Sequence, residues 1–137
     1  LKNKWLVILA AVIWFLVTVY LMTIPGNSLP KSPFFELIHV DKWVHIGMFS
    51  ILVFLFMQGT RLFYKQQQPK AMLAIAVAGV LYGIAMEFVQ KYWTVGRSFD
   101  ITDIIADAVG CIIAYIYVRY LIKRKQLREQ TTAAEAA

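Results

Sequence analysis

Nine ionisable or amide side chains fall in two stretches of this chain: Asp41, Lys42 and His45, then Glu87, Gln90, Arg97, Asp100, Asp103 and Asp107. On a helix, residues three or four apart share a face. Asp41 therefore lines up with His45, Glu87 with Gln90 and Lys91, and Asp100, Asp103 and Asp107 form one stripe. The Asp-x-x-Asp spacing is one in which carboxylates can hold magnesium over a diphosphate, so a divalent cation is one candidate for these acids, with His45 and Glu87 beside them. The same acids next to Lys42 and Arg97 could instead clamp an anionic headgroup. His45 or Glu87 would then move a proton, as phosphoryl or acyl chemistry at a lipid requires. Plainer roles stand beside these: Asp41 and Asp100 as helix caps, Asp103 near a positive helix end, Lys42 as an interfacial cation and His39 as a solvated loop residue. Glu87 is harder to treat as plain, because the run from Ala71 to Met86 before it carries no charge. Its ionisation calls for a counter-ion, and Arg97 in the following turn is the nearest in sequence. No Gly-x-Ser-x-Gly elbow, His-Glu-x-x-His helix, cysteine pair or phosphate loop is present.

The elements that must position these residues are apolar. Of 137 residues, 60% are hydrophobic and 16% charged, the composition of a chain buried in a bilayer. Trp5 to Ile24 runs without a charge and is long enough to cross a hydrocarbon core of about 30 Å as an uncleaved anchor. Further spans are predicted from about Val44 to Phe63, from Ala71 to about Phe88, and from about Ile101 to Ile122, with a polar turn over Tyr64 to Lys70. Gly79 and Gly83 in the third span, and Ala106, Gly110 and Ala114 in the fourth, predict that these two pack closely. The fold expected is an all-α integral membrane bundle of four helices occupying residues 1–125. A basic-to-polar tail, 126–137, is expected to fray into disorder beside lipid.

Orientation follows from basic residues, which stay cytoplasmic in short loops. Lys2, Lys4, Arg61, Lys65, Lys70, Arg119, Lys123, Arg124, Lys125 and Arg128 would share one side, and Lys31, Lys42, Lys91 and Arg97 the other. Both termini are thus expected inside. Glu36, Asp41, Glu87, Asp100, Asp103 and Asp107 would face outward, against Glu129 and Glu135 within. The net charge of +6 sits between apolar runs and in the tail, so membrane lipids are the expected partners and nucleic acid is not. Cys111 is the only cysteine, which excludes an intrachain disulfide.

Pro25 after the first span, Asp41-Lys42 with His45, Glu87 with Gln90, and Gly96-Arg97 leading to Asp100, Asp103, Asp107 and Gly110 together resemble the VanZ-like family of small bacterial membrane proteins. The resemblance covers about Pro25 to Gly110. Asp107 departs from it, standing where the family pattern commonly has asparagine. The resemblance implies a multi-pass protein of the bacterial cell membrane and an association with resistance to the glycopeptide teicoplanin.

Three functions follow from the residues. In the first, an outward polar pocket binds an anionic envelope lipid or cell-wall precursor headgroup, with Arg97 and Lys42 supplying charge and Asp41, His45, Glu87, Gln90, Asp100, Asp103 and Asp107 completing the site. In the second, a hydrolase or transferase acts on a polyprenyl-phosphate-type lipid, with Glu87 and His45 as acid and base. The third is a structural scaffold locked by ion pairs. The sequence does not choose between catalysis and binding.

Overall fold

The computed structural model describes residues 2–28, 39–63 and 69–135; Lys31, Glu36 and Lys65 lie outside them. The described chain forms helix α1 (Lys2–Thr23), a 3-10 turn (Gly26–Ser28), α2 (Val40–Phe63), α3 (Pro69–Trp93) and α4 (Ile101–Glu135). All four α-helices are long and apolar enough to cross a membrane.

Each helix begins where the backbone permits rather than where the charges stop. Val40–Phe63 starts ahead of Val44, because Asp41 and Lys42 are accommodated within its first turn. Pro69 opens α3, a position where proline lacks only an N–H that has no partner anyway. Asp100 caps α4: its Oδ1 accepts from the Thr102 backbone N at 2.8 Å and the Thr102 hydroxyl at 2.6 Å. The fourth helix then continues unbroken past Ile122 as far as Glu135.

In lipid, helices gain nothing by hiding apolar surface from apolar surroundings, so the bundle is held by close packing and internal hydrogen bonds. Phe49, Val53 and Met57 of α2 meet Met72 of α3 and Cys111 and Val118 of α4 in a fully buried core. The broadest interface lies between α2 and α4. Gly110 makes it possible, since a Cβ there would stand 2.5 Å from the Ile46 carbonyl oxygen, and Ser50 donates its hydroxyl to the Gly110 carbonyl at 3.1 Å. Of the small residues expected to join the third and fourth spans, Gly83 faces α4, Gly79 lies against both Val53 of α2 and Cys111 of α4, and Gly110 faces α2. Helix α1 is the most peripheral, tied in by Trp14 Nε1 donating to the Met48 carbonyl (3.0 Å) and by the buried Thr18 hydroxyl against the Tyr82 hydroxyl (2.9 Å).

Candidate functional site

The polar residues converge at the end of the bundle where α2 and α4 begin and α3 finishes. Asp100 caps α4 at the rim, Asp103 lies one turn in and Asp107 a further turn down, so the stripe descends from a half-exposed carboxylate to one fully enclosed. Lys42 and His45 descend beside it on α2, and Glu87 meets it from α3. His39 precedes α2 in the left-handed region (φ 47°) and its carbonyl accepts from Lys42 N at 3.0 Å, which starts the helix and sets the direction of Lys42.

Lys42 is the hub of the rim. Its ammonium lies 3.0 Å from Asp41 Oδ2 and 2.8 Å from Asp100 Oδ2, and it also donates to Asp103 Oδ1. Among the described residues no group of His, Cys, Asp and Glu side chains is arranged to hold a metal ion. The geometry gives the reason, because three carboxylates that could have gathered a cation have gathered the lysine. The same contacts withdraw Lys42 from the role of a free anion clamp. Asp100 is held down to about 2, below the usual carboxylate range, first by its hydrogen bond from Lys42 and next by the Thr102 hydroxyl.

Below the rim the groups connect in sequence. Asp103 offers Oδ1 to Lys42 and places Oδ2 3.9 Å from His45 Nε2, while His45 Nδ1 lies 2.8 Å from Asp107 Oδ1. The other Asp107 oxygen rests over Gly83, where a Cβ would come within 2.6 Å of it. Glycine on α3 is therefore the seat of Asp107. Glu87 Oε2 accepts from the backbone N of Asp100 at 2.9 Å, so the third helix holds the first turn of the fourth. Gln90 donates Nε2 to the Met22 carbonyl at 2.9 Å and so ties the end of α1 to α3. One acceptor oxygen on each of Glu87, Gln90 and Asp107 is buried without a partner among the described residues.

The expected Glu87–Arg97 ion pair is absent among the described residues. Arg97 instead aims Nε at the Ile24 carbonyl at 3.5 Å, because the turn carrying it is docked on the start of the α1–α2 connection. Gly26 N donates to the Val95 carbonyl at 3.0 Å, and Gly96 makes the turn with φ 72°. A Cβ on Gly26 would stand 2.0 Å from the Gly96 carbonyl oxygen, so the two segments meet at backbone contact. Lys91 also stays out of the cluster, its ammonium lying 5.2 Å above the Tyr92 ring and 5.9 Å from that of Phe99. Asp41, Lys42, His45, Glu87, Asp100, Asp103 and Asp107 thus form one connected region, with Arg97 on its border and Gln90 turned to α1 beside it. Sequence patterns missed the seat at Gly83 and the contributions of the Met22 and Ile24 carbonyls. The first left only a small-residue spacing as its trace, and main-chain acceptors leave no side-chain signal at all.

Four membrane-length helices with a buried acid–base cluster closing one end define a multi-pass all-α membrane protein. The chain belongs to the VanZ/LLP1 family, whose model matches residues 5–123. It is similar to an uncharacterised protein of Schizosaccharomyces pombe, with 30% identity over 105 residues. That alignment covers 77% of this chain and 57% of the yeast protein, so the chain spans little more than half the length of that relative. No solved structure matches it.

Proposed function

We propose that the protein recognises a lipid-linked headgroup of the bacterial cell envelope at the outer face of the membrane, with both termini inside. The ligand class is a glycosyl or polyol phosphate on a lipid, such as a cell-wall precursor. Arg97 carries this reading: its guanidinium is half-buried at the site's edge, makes one long contact to the Ile24 carbonyl, and has no carboxylate partner among the described residues. A planar fork of five donors so placed suits a phosphate. Asp41 and Asp100, with side chains 56% and 42% exposed, accept hydroxyl or amino hydrogens from the rest of the headgroup. Lys42 contributes by holding those two acids in place rather than by touching the phosphate. Glycopeptide resistance would then be a consequence of occupying a headgroup the antibiotic also needs.

The test is binding of a polyprenyl-phosphate-linked sugar to nanodisc-embedded protein by native mass spectrometry. Arg97→Ala should weaken it at least about tenfold, the scale of a lost charge-assisted pair. Arg97→Lys should fall between. Equal affinity in Arg97→Ala, with helicity intact, sinks the proposal.

One observation favours catalysis as a second function. His45 has Nδ1 fixed by Asp107, which directs Nε2 toward Asp103 and the rim, the arrangement a general base needs. A hydrolase or transferase acting on a polyprenyl-phosphate-type lipid would lose turnover in His45→Gln and Glu87→Gln while keeping affinity for the lipid.

A further inference from the structure

At the end of the bundle opposite the polar cluster, α1 and α2 part to leave a groove of about 460 Å³, a volume typical of small-ligand sites. Ala11 and Gly59 form its floor and Ile8, Phe56, Thr60 and Phe63 its walls. A Cβ added at Gly59 would meet nothing closer than Ile8 Cγ1 at 3.8 Å, so the floor is open at that point. The lining makes no polar demand, because the Thr60 hydroxyl is spent on the Phe56 carbonyl at 3.0 Å. At the mouth, Lys4 Nζ stands 5.7 Å over the Phe63 ring and Trp5 meets the same ring edge-on at 6.0 Å. An indole and an ammonium beside an apolar cleft are the groups that sit at headgroup level.

Among the described residues the charge at this end is mainly basic. Lys4, Arg61, Lys70, Arg119 and Lys123 all lie toward it, and the acids described on the same side, Glu129 and Glu135, sit far along α4, with Glu129 engaged by Lys125 at 3.6 Å. We propose that this groove is a site for one anionic phospholipid, with an acyl chain along Gly59 and the phosphate at Lys4. Bilayer chains are as apolar as the groove, so burial alone cannot choose between lipids. The choice is made by charge at the mouth, and shape along the floor immobilises the chain.

The experiment uses the full chain in vesicles of phosphatidylcholine and phosphatidylglycerol, with spin-labelled versions of each lipid as probes. The native protein should immobilise phosphatidylglycerol about fivefold more than phosphatidylcholine, the effect of one basic residue near a charged surface. Lys4→Gln should reduce the preference several-fold while keeping the immobilised component. Gly59→Leu should remove that component for both lipids, and Gly59→Ala, which fits without displacement, should keep it and control for folding. An unchanged preference in Lys4→Gln overturns the proposal, as does an immobilised component that survives Gly59→Leu. If a second copy fills the groove instead, Gly59→Leu will convert a dimer to a monomer without altering lipid mobility, which also overturns it.

Discussion

Asp107 sits on Gly83: a Cβ at Gly83 would lie 2.6 Å from Asp107 Oδ2 and 3.0 Å from Asp107 Cβ. Asp107 cannot swing away, because its other oxygen is held at 2.8 Å by His45. Gly83→Ala should therefore push α3 and α4 apart and destabilise the protein by about 1–3 kcal/mol, the usual cost of forcing a methyl into a filled interior. Reversible unfolding in mixed micelles measures it. Gly47, with nothing near its would-be Cβ, is the control that should tolerate alanine.

The contact between His45 and Asp107 should appear as coupling and not merely as two separate losses. A double-mutant cycle of His45→Ala and Asp107→Ala should give an interaction of about 1–2 kcal/mol, toward the upper end for polar contacts within membranes. A coupling near zero would mean that the two groups do not meet in the bilayer.

Removing Lys42 should harm the protein through the acids left behind. Lys42→Met strands Asp103, whose side chain is 9% exposed, together with the more exposed Asp41 and Asp100. Loss of one partner of a fully buried pair costs about 3–5 kcal/mol. Partial exposure at this rim reduces the expected loss to about 2 kcal/mol. Lys91→Met, over the Tyr92 ring, should cost far less. Adding Asp103→Asn to Lys42→Met should recover part of the stability, read in the same unfolding assay.

Acid should loosen the cap of α4 before the rest of the bundle. Asp100 titrates at about 2 in the folded chain against an ordinary value of 3.8, so its ionised form favours folding. That contribution is complete above about pH 4 and is lost as the pH falls through about 2. Hydrogen exchange at the Thr102 and Asp103 amides should rise through this window. Asp100→Asn should flatten the change, whereas an equal rise in the variant would assign it to another carboxylate.

The spans were legible because long charge-free runs have few other uses, and α4 begins at Ile101 as Asp100 and its neighbours imply. The other boundaries were blurred by charge. Asp41 and Lys42 stand ahead of the span predicted from about Val44, yet they fit inside the first turn of α2, where Lys42 pairs with Asp41 and reaches Asp100 and Asp103. Asp107 was identified as the deepest acid because a stripe of period near 3.6 fixes depth as well as face. Partner choice was the unreadable part. Arg97 is close to Glu87 in sequence, but docking of Gly26 against Gly96 turns it toward α1, and Lys42 reaches across to take the acids instead. Such choices depend on how the turns pack, which no spacing along a single helix encodes.

The end of α1 and the residue just after it meet the polar end through two main-chain oxygens, those of Met22 and Ile24, which receive Gln90 and Arg97. Any residue type that preserves the path of the chain presents those oxygens equally well. The lipid-facing positions of the first rod can accordingly drift in composition toward whatever its host bilayer favours, provided Trp14 and Thr18 keep their bonds to the neighbouring helices.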